Sequence, residues 1–68
     1  MIKWLKPQSI KPGELYFNGS VGSLMLCLGN KQTSKDEISI DWLVVHEGQK
    51  RVVTYPYEKN DPLMLLKL

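Results

Sequence analysis

The chain has 68 residues, of which 43% are hydrophobic and 24% are charged, so we expect one domain over residues 1–68. This composition excludes an intrinsically disordered chain, and the single cysteine excludes an internal disulfide. The net charge of +2 permits nucleic-acid binding without indicating it. No segment has the ~18 consecutive apolar residues of a membrane span, and the start lacks the apolar run of a signal peptide. We therefore expect a protein made in the cytoplasm, with no membrane partner.

The first part of the chain predicts two short strands separated by turns. Residues 2–5 form the first, and Pro7 to Pro12 is an edge or loop, because proline cannot donate to a sheet ladder. Leu15 to Phe17 is aromatic and extended, which is typical of a strand. Asn18-Gly19 then predicts either a two-residue hairpin turn or a longer, bulged one.

The segment from Gly22 to Gly29 predicts the central strand, and both of its faces are apolar. Leucines occupy alternate positions on one face, and Met25 and Cys27 occupy the other. A sheet with one solvated face should alternate apolar and polar side chains, so we expect this strand to be covered on both sides. Cys27 is expected to pack as a small apolar side chain.

The second half predicts a long hairpin. Residues 30–37 are all polar and predict a mobile surface loop. Apolar residues then recur at every second position from Ile38 to Val44, which predicts a half-buried strand. A tight turn at residues 47–49 leads into a returning strand at residues 51–55, which we expect to end at the following Tyr-Pro-Tyr.

The C-terminal segment, residues 63–68, is apolar except for one lysine. It predicts a last strand that pairs with the first, although a helical turn capped by Asp61 is the alternative. Five or six short strands with turns every 8–12 residues indicate an all-β fold. At this length we expect a small, closed SH3-like barrel of antiparallel strands.

Lys11 to Tyr16 is a Lys-Pro-Gly-acidic-aliphatic run that precedes a predicted core strand. It resembles small bacteriophage-encoded SH3-like β-barrel proteins, in which such a run leads into the first core strand. The Gly-Ser-Leu and aliphatic run from Gly22 is similar to their second strand. Ile40 to Leu43, Tyr55-Pro56 and the aliphatic C-terminus are similar to later strands. The resemblance covers about residues 11–68 and implies the barrel fold; the family includes virion parts, accessory proteins and nucleic-acid binders, so it assigns no residue a role.

The chemistry-bearing residues are few. His46 is the only histidine, and a zinc site needs three or four ligands. It could pair with Cys27 or a serine as a nucleophile pair, but no third orienting group is evident, so we interpret it as a turn-flanking residue beside Glu47. The carboxylates are scattered over loops and outward positions. We therefore expect no enzyme, no catalytic residues, no metal and no cofactor.

Two binding roles remain. The favoured one is a protein-interaction module, most concretely an accessory subunit of a phage-type virion, such as a capsid, neck or tail component. It would dock other protein subunits through outward apolar residues, Met25, Leu43 and Val45, with Cys27 beside them. The alternative is a nucleic-acid-binding or host-directed regulatory barrel. It would use the basic N-terminus and a basic and aromatic set, namely Lys50, Arg51, Tyr55 and Tyr57.

Overall fold

A computed structural model describes residues 3–68, which form six β-strands and one short 3₁₀ helix. The strands are β1 (Lys3–Leu5), β2 (Leu15–Asn18), β3 (Ser23–Gln32), β4 (Glu37–His46), β5 (Gln49–Glu58) and β6 (Leu63–Lys67). The 3₁₀ helix spans Pro7–Ser9, inside the predicted connector. The all-β class is confirmed, and the C-terminal segment is a strand. Ile2, the predicted start of the first strand, lies outside the described residues.

The strands form one antiparallel sheet in the order β1-β6-β2-β3-β4-β5. The predicted pairing of the last strand with the first is confirmed, since Leu65 lies opposite Lys3 and Leu63 opposite Leu5. The sheet is nevertheless open, because β1 and β5 are its two edges. The closed barrel expected from the sequence is therefore not confirmed.

One face of the sheet, called the inner face, carries the hydrophobic core. Its buried apolar residues are Ile10, Tyr16, Met25, Cys27, Ile38, Ile40, Trp42 and Leu65. Trp42 is fully buried, and its ring meets that of Tyr16 edge to face at 5.8 Å. The indole N–H of Trp42 donates to the hydroxyl of Tyr57 at 3.0 Å, so the one polar atom of the indole is satisfied.

Half of the predicted polar loop at residues 30–37 is strand. β3 continues to Gln32 and β4 begins at Glu37, which leaves only residues 33–36 between them. The polar residues are drawn into the sheet because Ile38 and Ile40 opposite them belong to the core. The side-chain amide of Asn30 also donates to the carbonyl of buried Ile10.

The β4–β5 hairpin is longer than predicted. Its turn has two residues, Glu47 and Gly48, both with left-handed backbone (φ of 51° and 76°), which is the type I′ pattern. Beyond it every residue of β4 pairs with one of β5, as far as Glu37 with Glu58. Pro56 does not end the strand, because proline is tolerated in an edge strand whose missing N–H faces outward.

Candidate functional site

The outer face of the sheet, opposite the core, carries two cross-strand rows of apolar side chains. One row runs through Leu15, Leu26, Leu43 and Val52 on β2, β3, β4 and β5. The neighbouring row runs through Leu66, Phe17, Leu24 and Val45 on β6, β2, β3 and β4. These eight residues are called the outer apolar face. All are exposed or half-buried, and Val52 is 67% exposed.

The structure places Leu43 and Val45 on the outer apolar face but corrects the prediction that Met25 lies there with Cys27 beside it. The expectation that Cys27 packs as a small apolar side chain is confirmed. Met25 is 6% exposed and Cys27 is 1% exposed, both within the core. Cys27 lies opposite Trp42, whose large ring fixes which face is inner. The sequence interpretation grouped the wrong face of β3 with Leu43 and Val45; their partners are Leu26 and Leu24.

The rest of the outer side is polar along one half of the β4–β5 hairpin. Ser39 and Asp41 on β4 alternate with core residues, and they lie opposite Pro56 and Thr54. The hydroxyl of Thr54 donates to the carboxylate of Asp41 at 2.6 Å. This polar half of the hairpin borders the outer apolar face. Its residues lie on the same side of the sheet, so they suit control substitutions for those in the outer apolar face.

A second feature lies on the inner face, where the core ends near the β4–β5 turn. A hollow of about 270 Å³ opens there. Its lining residues are Asn18, Val21, Ser23, Met25, Val44, His46, Arg51 and Tyr55. An adjoining hollow of about 210 Å³ is lined by Val44, His46, Gln49 and Arg51. Val44, His46 and Arg51 are therefore shared by both hollows.

His46 has a defined hydrogen-bonding environment in this hollow. Its Nδ1 lies 3.2 Å from the hydroxyl of Ser23, and its Nε2 lies 3.6 Å from a carboxylate oxygen of Glu47. Ser23 is only 4% exposed, whereas the side chain of Glu47 is 84% exposed. The sequence placed His46 beside Glu47 correctly. The partner serine lies 23 residues away in the chain, so only the β3–β4 register could identify it.

The structure does not bring the four candidate nucleic-acid residues onto one face. Arg51, Tyr55 and Tyr57 lie opposite Val44, Ile40 and Ile38 on the inner register, but Lys50 lies opposite Val45 on the outer one. Tyr55 is 43% exposed and lines the larger hollow, whereas Tyr57 is half-buried and bonded to Trp42. Burial raises the pKa of Tyr57 above the usual tyrosine value. The rings of Tyr55 and Tyr57 meet edge to face at 6.4 Å, so only Lys50 is separated from the other three residues.

Within residues 3–68, no three His, Cys, Asp or Glu side chains are grouped closely enough to hold a metal ion. The described part of the chain has no helix long and apolar enough to cross a membrane. Neither a protein-family model, nor a curated protein, nor a solved structure matches the sequence significantly.

Proposed function

We propose that the protein is a non-enzymatic protein-interaction module that docks another protein subunit through the outer apolar face. The observation that carries this proposal is the pair of apolar rows, which run unbroken across neighbouring strands. The inner face already supplies the core, so the outer rows are not needed to bury the core residues. Contiguous exposed apolar surface of this kind marks interaction sites in soluble proteins.

The shape of the outer apolar face favours a particular partner surface. Side chains in a sheet row stand about 4.7–4.9 Å apart along the hydrogen-bonding direction, which gives a shallow ridged surface. A second sheet packs on such ridges at a spacing of about 10 Å, with apolar side chains interdigitating. We therefore propose that the partner contributes an apolar β-sheet face, as in a β-sandwich formed between two subunits.

The arrangement of Ser23, His46 and Glu47 supports the non-enzymatic part of the proposal. In a hydrolytic triad the nucleophile is accessible and the acid is buried behind the histidine. Here the order is reversed, since the serine is buried and the glutamate is exposed. The hydroxyl of Ser23 lies beside Nδ1 of His46, where it fixes the orientation of the imidazole.

The most concrete form of the proposal is an accessory subunit of a phage-type virion. Its support is the resemblance of residues 11–68 to small phage-encoded SH3-like proteins, together with the outer apolar face. On this proposal the open sheet is a variant of the SH3-like barrel in which a neighbouring subunit covers the outer rows. The protein would be made in the host cytoplasm and retained in the particle.

The test is incorporation into particles. Leu43→Lys with Val45→Lys places two charges in the outer apolar face and is expected to abolish incorporation, as measured by quantitative mass spectrometry of purified particles. The matched control, Ser39→Lys with Thr54→Lys, adds the same charges to the polar half of the same side. Full incorporation of the first variant, with its folding verified by circular dichroism, would refute the proposal.

Nucleic-acid binding is the second candidate, and one observation favours it. Arg51 and Tyr55 line the same hollow, so a cation and an aromatic ring are available together. This candidate predicts that affinity for single-stranded oligonucleotides falls linearly with the logarithm of salt concentration. Fluorescence anisotropy with labelled oligonucleotides at low salt measures this, and absence of binding there would eliminate it.

A further inference from the structure

The larger hollow on the inner face has the composition of an anion-binding site. Five of its lining side chains, Asn18, Ser23, His46, Arg51 and Tyr55, carry hydrogen-bond donors or can do so, and none of the eight is acidic. We propose that it binds a small phosphate ester with an aromatic or apolar body, of which a nucleoside monophosphate is the plainest example. The site lies on the opposite side of the sheet from the outer apolar face, so it is independent of the interaction function.

Arg51 supplies the charge for this site. Among residues 3–68 no carboxylate lies within ion-pair distance of its guanidinium, because the two ion pairs found there are His46 with Glu47 and Lys67 with Glu14. A guanidinium presents several N–H donors in a planar fork that matches two oxygens of a phosphate. The hollow thus contains a cation with no protein counter-ion beside open space.

Two of the neutral donors are held in position by the protein. The Nδ1 of His46 is occupied by Ser23, so its ring orientation is fixed. The side-chain oxygen of Asn18 accepts the backbone N–H of Ser20 at 3.1 Å, which identifies the opposite end of the amide as its NH₂ group. Side chains that are already oriented lose less entropy when a ligand binds.

The remaining lining residues suit an uncharged body attached to the phosphate. Val21, Met25 and Val44 are apolar, and the ring of Tyr55 is available for stacking. The volume of about 270 Å³ is just below the ~300–1,000 Å³ of sites for drug-sized ligands, which fits a smaller ligand. Arg51 and His46 line both hollows, so on this proposal the phosphate binds beside these two side chains. The aromatic or apolar body of the ligand then lies in the larger hollow.

The test is an NMR titration of the isotope-labelled full chain with adenosine 5′-monophosphate, inorganic phosphate and adenosine. Adenosine 5′-monophosphate is expected to give saturable shifts at residues 18, 23, 46, 51 and 55, with inorganic phosphate and adenosine each at least about tenfold weaker. Arg51→Gln is expected to weaken binding at least about tenfold, as for loss of a charge-assisted hydrogen bond. The matched control is Lys35→Gln, which removes one positive charge in the β3–β4 turn and should change affinity less than about twofold.

Glu47 provides a second variant that does not disturb the lining. Its carboxylate lies 3.6 Å from Nε2 of His46 and opposes an incoming anion, so Glu47→Gln is expected to tighten binding about two- to fivefold.

A dinucleotide with and without a 5′-phosphate distinguishes a free nucleotide from a strand end as the natural ligand. If the site takes a strand end, the 5′-phosphorylated dinucleotide binds more tightly than the mononucleotide. If the site takes a free nucleotide, it does not. Either result supports the site. Absence of saturable shifts at about 10 mM, equal affinity for inorganic phosphate, or an unchanged affinity in Arg51→Gln would each overturn it.

Discussion

Tyr16 links the core to a surface ion pair. Its ring is buried against Trp42, while its hydroxyl donates to the carboxylate of Glu14 at 2.9 Å. The other oxygen of that carboxylate lies 2.6 Å from the ammonium of Lys67. The hydrogen bonds from Lys67 and Tyr16 lower the pKa of Glu14. Burial, and to a smaller extent the hydrogen bond to Glu14, raises the pKa of Tyr16 to about 12. β2 and β6 are thus joined by side chains as well as by the ladder.

The raised pKa of Tyr16 predicts a loss of stability in alkali. The unfolded chain releases this proton near the ordinary value of 10, whereas the folded protein keeps it to about 12. The contribution is complete below pH 10 and is lost as the pH rises to 12, because the folded state then binds more protons than the unfolded one. Urea unfolding across this range should show a shallower decline for Tyr16→Phe than for the wild type. Tyr55→Phe, at an exposed position, is the control. A decline in Tyr16→Phe as steep as that of the wild type would contradict this prediction.

Cys27 is expected to be unreactive in the folded protein. It is 1% exposed, and burial raises the pKa of its thiol. Because the thiolate is the reactive form, a chromogenic disulfide reagent at pH 8 should label the native protein at least about 100-fold more slowly than the protein in urea. Labelling of the native protein at the rate of the unfolded chain would show that the core around β3 is open.

At the scale of the elements, the β4–β5 turn contains a residue that is not suited to its conformation. Glu47 has φ of 51°, and a left-handed residue with a side chain costs about 1–2 kcal/mol unless it is Gly, Asn or Asp. Glu47→Asn should therefore raise the free energy of unfolding by about 0.5–1 kcal/mol. Glu47→Gln removes the charge and keeps the strain, so it should leave stability nearly unchanged. Equal stabilisation by both variants in urea unfolding would assign the effect to charge.

Pro56 protects the edge formed by β5. The two-residue turn makes His46 and Gln49 a hydrogen-bonded pair, so even-numbered residues of β5 direct their backbone groups to the open edge. Pro56 is one of them and offers no N–H there. Pro56→Thr restores a donor to the ten-residue edge and should produce concentration-dependent dimers by light scattering. Adding Val52→Lys should suppress them; a strictly monomeric Pro56→Thr would contradict the role of the proline.

The elements show what the sequence can determine. Turn residues and alternating apolar positions located all six strands, because both signals are local. The prediction of which side of β3 points inward was wrong. Leu24 to Leu28 is apolar on both faces, and an alternation with a period of two does not say which face is buried. Only the pairing of Cys27 with Trp42 identifies the buried face. The Ser23–His46 contact and the inner hollow also depend on register, which residue spacing does not specify.

At the scale of the whole molecule, the two faces of the sheet differ in burial and composition. The inner face supplies the core and ends in the hollow around Arg51, while the outer apolar face extends over five strands. A chain of this length buries only about 60% of the surface exposed on unfolding, so its stability is expected to gain from a partner. Docking through the outer rows would supply that additional burial.

The most direct measurement is thiol labelling of Leu24→Cys in the free protein and in the assembled particle. Position 24 lies within the outer apolar face, and native Cys27, which is buried, gives little background. We predict rapid labelling of the free protein and at least about tenfold slower labelling in particles, whereas Ser39→Cys on the polar half labels rapidly in both. Equal labelling of Leu24→Cys in the two states would contradict docking through this face.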